Sequence, residues 1–155
     1  MIQAFSMSEI EIQEPYVLIV EDSPVDFEII SRAFRKIEFT PKIHHCQNGD
    51  TALDFLNKTS NESAQTSPTL VLLDLNLPGT DGRQVLSSMK SSTDLKEIPV
   101  IVLSTSNNDN DIEFCFSMGA DKYLRKPISA DEFAETARII KEFWDGKTNI
   151  PVTYQ

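Results

Sequence analysis

The chain has 155 residues, 40% apolar and 25% charged, and its 24 Asp and Glu against 14 Lys and Arg leave a formal net charge of −10. That size supports one domain with a single sizeable core, and the acidity excludes sequence-independent nucleic-acid binding, which needs a basic face to displace counterions. Two cysteines without paired spacing exclude a disulfide framework or zinc centre, and no apolar run reaches the ~18 to 20 residues that span a bilayer. With no leader ahead of the fold, the expected location is the cytoplasm, away from any membrane.

Residues 1–14, "MIQAFSMSEIEIQE", show no sustained period and read as a flexible lead-in in which Met7 offers a second start. The domain is expected over 15–145, with a C-terminal extension over 146–155. "YVLIVED" is a short apolar run suited to a strand buried on both faces. "SPVDFEIISRAFRKI" follows as a helix, with Ser23 as N-cap, Pro24 in the first position and Asp26 completing a capping box. "KIHHC" is a strand and "NGDTALDFLNK" a short helix. The polar "KTSNESAQTSP" reads as an exposed loop before the strand "TLVLLDL". "GRQVLSSMK" is a helix, "IPVIVLS" a strand, "NDIEFCFSM" a helix and "KYLRK" a strand. "SADEFAETARIIKEFW" closes the series, with Ser129 and Glu132 as another capping box. Strands alternating with helices at this spacing make βαβ units and a parallel sheet covered on both faces.

In such sheets ligands bind beyond the carboxyl ends of the strands. Strand one ends in Glu21 and Asp22, strand three in Asp74, strand four in Ser104 and Thr105, and strand five leads to Lys126 and Pro127. Three converging acids repel one another, and a divalent cation removes that cost. Mg2+ takes oxygen ligands in octahedral geometry and keeps several waters. Asp22, Asp74 and the Asn76 backbone carbonyl are the expected direct ligands, with Glu21 acting through a water. Asp74 then has a free oxygen to attack phosphorus. Lys126 is expected to neutralise charge on the transferring group while the Ser104 hydroxyl donates to it.

"LIVEDS", "LLDLNLPGTDG", "VIVLSTS" and "YLRKP", in this order, resemble the receiver domain of two-component response regulators, the CheY-like family. The likeness covers about residues 16–144. It implies a flavodoxin-like (βα)5 fold in one domain, with five parallel strands in the order 2-1-3-4-5. It also implies Mg2+ at Glu21 and Asp22, Asp74 as phosphoacceptor, Ser104 as switch hydroxyl, Lys126 as the site cation and Tyr123 as switch aromatic. The Lys126–Pro127 bond corresponds to one that is usually cis in the family. Two departures stand out. Glu21 replaces the commoner Asp, and Thr105 stands where many receivers carry alanine. "DLNLPGTDGRQVL", "LKEIPVIVLSTS" and "FWDGKTNIPV" are similar to the Rcp-type single-domain regulators associated with bacterial phytochromes, which implies a red-light-sensing histidine kinase as phosphodonor.

Such a protein is a phosphorylation switch, not an enzyme; at most it catalyses its own phosphoryl uptake and loss. A phosphatase with an Asp nucleophile would want D-x-D, and Asp74-Leu75-Asn76 lacks the second acid. A flavin module would want a glycine-rich loop after strand one, which "EDSPVDFE" is not. A receiver-like protein that binds partners without phosphorylation is the remaining alternative.

Other features read as structural. His44 and His45 are adjacent in a strand and face opposite sides, Cys46 and Cys115 are packing residues, and "NNDND" is a helix N-terminus. In the last helix Phe133, Ala137, Ile140 and Trp144 form the stripe expected to face the sheet, which leaves Ile139 and Phe143 outside. In helix four Phe114 and Met118 lie beyond an inner set of Ile112, Cys115 and Phe116. These patches are expected to form a homodimer through helix four, strand five and helix five, with the tail from Asp145 to Gln155 contributing.

Overall fold

A computed structural model of the chain describes residues 14–62 and 66–148. All of the expected lead-in but Glu14, and residues 149–155 of the C-terminal tail, lie outside the described residues. In chain order the elements are β1 (Tyr16–Val20), α1 (Pro24–Lys36), β2 (Lys42–Cys46), α2 (Gly49–Glu62), β3 (Leu70–Leu73), α3 (Gly82–Ser91), β4 (Val100–Ser104), α4 (Asp109–Met118), β5 (Lys122–Arg125) and α5 (Ala130–Thr148). All pairings are parallel, and the sheet runs β2-β1-β3-β4-β5.

The central strands are apolar throughout because helices cover both faces. Their side chains alternate between two cores, as a two-residue repeat requires. Leu18, Val20, Val71, Leu73, Val100 and Val102 pack with Ala52 and Leu56 of α2, Val85 and Met89 of α3, and Cys115 of α4. On the opposite face Val17, Ile19, Leu70, Leu72, Ile101 and Leu103 meet Ile30, Ala33 and Phe34 of α1 and Ala137 and Ile140 of α5. Burying each such aliphatic contributes about 1.5 to 3 kcal/mol. Together the two cores fix the strand register, since a one-residue slip would exchange them.

The elements differ from expectation in four places. The polar stretch from Lys58 to Glu62 continues α2, because Thr59 is buried and its hydroxyl donates to the Leu56 carbonyl 3.1 Å away. The last helix runs to Thr148, past its expected end at Trp144, and the Thr148 hydroxyl donates back to the Trp144 carbonyl. Phe116, expected inside, is 49% exposed; α4 has ten residues, and Cys115 alone among them is buried. No peptide bond among the described residues is cis, so Lys126–Pro127 is trans, an isomer that lies within about 1 kcal/mol of the other for proline.

Candidate functional site

The site grows from strand ends that are locked before any side chain is considered. The Glu21 amide donates to the Cys46 carbonyl (3.0 Å), the Asp74 amide to Val20 (3.1 Å) and the Lys126 amide to Ser104 (2.7 Å). These bonds tie the ends of β2, β1 and β3 together and β5 to β4, and the β3–β4 pairing joins the two groups at one edge. Gly82, at the start of α3, lets that helix approach from above. A Cβ there would stand 2.2 Å from the Asp74 carbonyl oxygen and 2.6 Å from Leu75 Cα.

Into this edge project Glu21 and Asp74, both buried, and Asp22, which is exposed. One oxygen from each lies within 4.8 Å of the others. The Lys126 ammonium, 8% exposed, stands 2.7 Å from Glu21 Oε1 and 3.2 Å from Asp74 Oδ2. Burial is the largest influence on Glu21 and pushes its carboxyl up to about 7, with Asp74 adding repulsion while Lys126 and the Ser23 amide pull it back. Burial also works against the Lys126 charge. The carboxylates of Glu21, Asp26 and Asp74 outweigh it and hold the ammonium above the ordinary lysine range. Three clustered carboxylates, two of them buried, fit a hard divalent cation.

The structure thus brings Glu21, Asp22, Asp74 and Lys126 together. Asn76 is exposed two residues beyond, its amide donating to Asp74 Oδ1 at 3.2 Å. Ser104 is fully buried, and its Oγ accepts from the Ser106 amide (3.1 Å). Tyr123, half-buried, donates to the Ser106 carbonyl (2.8 Å), whereas Thr105 faces solvent. Of the four residues expected on a dimer face, Phe114 is exposed and Ile139 half-buried. Met118 and Phe143, expected to be wet, are partly buried, Met118 against the first core and Phe143 against the second.

Sequence reasoning missed three groups here. Asp26 is read above as a capping-box partner. Its amide does donate to the Ser23 hydroxyl oxygen (3.1 Å), but its carboxylate accepts from Lys126 Nζ at 2.9 Å instead of turning back to the cap. One helical turn beyond Asp22 was the available signal. Ser106 joins Ser104 to Tyr123, and its hydroxyl donates to Asp111 (2.7 Å). Asp111 in turn is gripped by Arg83 Nε and Nη2 at 2.9 and 2.8 Å. His45 stacks on Phe27 and donates through Nε2 to the Glu21 carbonyl (2.8 Å), a support role that strand alternation alone does not reveal.

The doubly wound sheet and its acid-and-lysine edge define a receiver. The chain belongs to the response regulator receiver domain family, which matches residues 17–138. Among individual proteins it is similar to the probable methanogenesis regulatory protein FilR2 of Methanothrix harundinacea, 39% identical over 143 residues covering 92% of each chain. It is also similar to response regulator Rcp1 of Synechocystis, 33% identical over 87% of this chain and 92% of that one. The Mn2+-bound form of Rcp1 superposes with a TM-score of 0.76 over 90% of this chain and 99% of that one, at 31% identity. The phosphorylated cyanobacterial phytochrome response regulator RcpA gives 0.77 over 90% and 100%, at 33%.

Proposed function

We propose that this protein is a single-domain response regulator of the cytoplasm, in which Asp74 accepts a phosphoryl group from a histidine kinase in a Mg2+-dependent reaction. The observation that carries the reading is the Lys126 ammonium placed between buried Glu21 and Asp74, with Asp22 beside them. Glu21, Asp22, Asp74 and the Asn76 carbonyl would hold Mg2+, which when bound offsets the negative charge of acids and phosphoryl oxygens.

In the transfer an Asp74 carboxylate oxygen bonds to phosphorus as the P–N bond of the phosphohistidine breaks. The imidazole leaves with the electron pair, neutral when its other ring nitrogen carries a proton. Lys126 supplies a point charge to the equatorial oxygens. Ser104 turns its hydroxyl toward the new phosphoryl group, which releases the Ser106 amide and, through Ser106, the hold on Tyr123. The α4, β5 and α5 face then changes its affinity for a partner, so the protein acts as a switch and not as a turnover enzyme. Val25 (66% exposed) and Ile128 (90% exposed) border the site on the α1 and β5–α5 sides and suit contact with the phosphodonor.

Similarity to Rcp1 and RcpA supports a bacterial phytochrome as the kinase. The higher identity to FilR2 favours a second reading of the input, a kinase that senses something other than light. Phosphotransfer assays with both kinase types separate these. For the core of the proposal, incubation with Mg2+ and labelled acetyl phosphate is expected to leave one base-labile phosphoryl group, absent in Asp74→Asn. Continuous release of phosphate from many esters would argue for a hydrolase instead.

A further inference from the structure

Lys126 has one ammonium and three carboxylate neighbours: Glu21 at 2.7 Å, Asp26 at 2.9 Å and, farthest, Asp74 at 3.2 Å. Two of these acids have tasks in the reading above. Asp26 has none. It stands on the first turn of α1, outside the trio whose oxygens cluster within 4.8 Å. Its side chain is 36% exposed, at the mouth of the site, where those of Lys126, Glu21 and Asp74 are almost enclosed. The start of the helix does not depend on this carboxylate as a cap, because the Ser23 hydroxyl already receives the Asp26 amide.

We propose that Asp26 is a positioning residue that withholds Lys126 from the phosphoryl group and so sets how fast Asp74 is phosphorylated; the inference rests on the phosphoacceptor reading of Asp74. An ammonium has three N–H donors, and here each faces a carboxylate. A phosphoryl group arriving on Asp74 brings new acceptor oxygens and must take a donor from one of the three. Asp26 is the partner that gives one up at least cost, since its side chain is 36% exposed against 3% for Glu21 and 6% for Asp74. Its charge has a second effect. A carboxylate at the mouth attracts a divalent cation and repels an anionic phosphodonor, so its removal acts on the two in opposite directions.

With acetyl phosphate as donor, an Asp74 oxygen bonds to phosphorus, the P–O bond to the acetyl group breaks, and acetate leaves with the electron pair. Asp26 takes no part in that exchange and acts through Lys126 and through its field. The test uses the full chain carrying Asp26→Asn. At saturating Mg2+ the second-order rate with acetyl phosphate is expected to rise roughly two- to fivefold, the scale of one partly exposed charge. The gain should shrink as ionic strength increases. By calorimetry, Mg2+ affinity is expected to weaken by a similar factor, and Asp26→Glu should restore both towards wild type. A general loosening of the site would slow phosphorylation and weaken Mg2+ together, so the opposed signs are the signature. If the wild type is phosphorylated and Asp26→Asn is no faster, or if Asp26→Glu is as fast as Asp26→Asn, the inference about Asp26 is overturned and the phosphoacceptor reading stands. If neither wild type nor variant takes a phosphoryl group, that reading is overturned and this one with it.

Discussion

Ser106 joins the polar groups of the β4–α4 loop. Its amide serves Ser104, its carbonyl receives Tyr123, and its hydroxyl serves Asp111, which Arg83 holds from α3. The Arg83 hydrogen bond is the largest influence on Asp111 and, with the Ser106 hydroxyl, lowers its carboxyl below the ordinary 3.8. A carboxylate depressed on folding adds stability above its unfolded value, and that stability is lost as pH falls through the lower folded value. Urea midpoints of wild type and Asp111→Asn should therefore differ most near neutral pH and converge as pH drops below about 4. A difference that stays constant down to low pH would mean that the charged pair is not the cause. Neither Ser106 nor this pair was legible in the sequence. A serine in a loop and an arginine on a helix are ordinary surface residues until the fold brings Ser106 against Tyr123, 17 positions away, and Arg83 against Asp111, 28 positions away.

At the scale of elements, Gly82 is the tightest joint next to the site. Any Cβ there meets the backbone of Asp74 and Leu75, not a movable side chain tip. Gly82→Ala must shift either the start of α3 or the strand end that carries Asp74. A loss of about 2 kcal/mol or more in unfolding free energy is expected, with slower phosphorylation alongside. An unchanged denaturation midpoint would show that α3 tilts freely. The elements themselves were mostly readable in order. "YVLIV", "VLL" and "VIVLS" are continuous apolar runs, and Ser23, Asn108 and Ser129 mark helix starts by their chemistry. What sequence did not convey was where tertiary contacts override polarity. Thr59 is a polar residue kept helical by burial, and Phe116 is an apolar one left at the surface because α4 offers the sheet only a narrow flank. Asp26 belongs to the same class. Its spacing fits a capping box, but a lysine 100 positions away competes for the carboxylate and wins.

At the scale of the whole molecule, the site exists because the parallel sheet collects strand ends from across the chain. Four motifs in sequence order sufficed to place Glu21, Asp22, Asp74, Ser104 and Lys126 at one edge, since the alternation of strand and helix dictates which end faces outward. The output surface was far less legible, because an exposed apolar side chain and one half-sunk in a core look alike in one dimension. Phe114 on α4 and Ile139 on α5 keep the exposure that the homodimer face expected from the sequence requires, in full and in part, while Met118 and Phe143 serve partly as core. Sedimentation at tens of micromolar should show a dimer for the wild type and a monomer for Phe114→Lys combined with Ile139→Lys. A wild-type monomer with and without phosphorylation would remove the dimer from the account. The measurement closest to its centre is chemical trapping. After incubation with acetyl phosphate and Mg2+, borohydride reduction converts an aspartyl phosphate to homoserine, which mass spectrometry of the peptides locates. Homoserine at position 74, dependent on a divalent cation, is the expected result; homoserine at another acid, at none, or at 74 equally without the cation would contradict it.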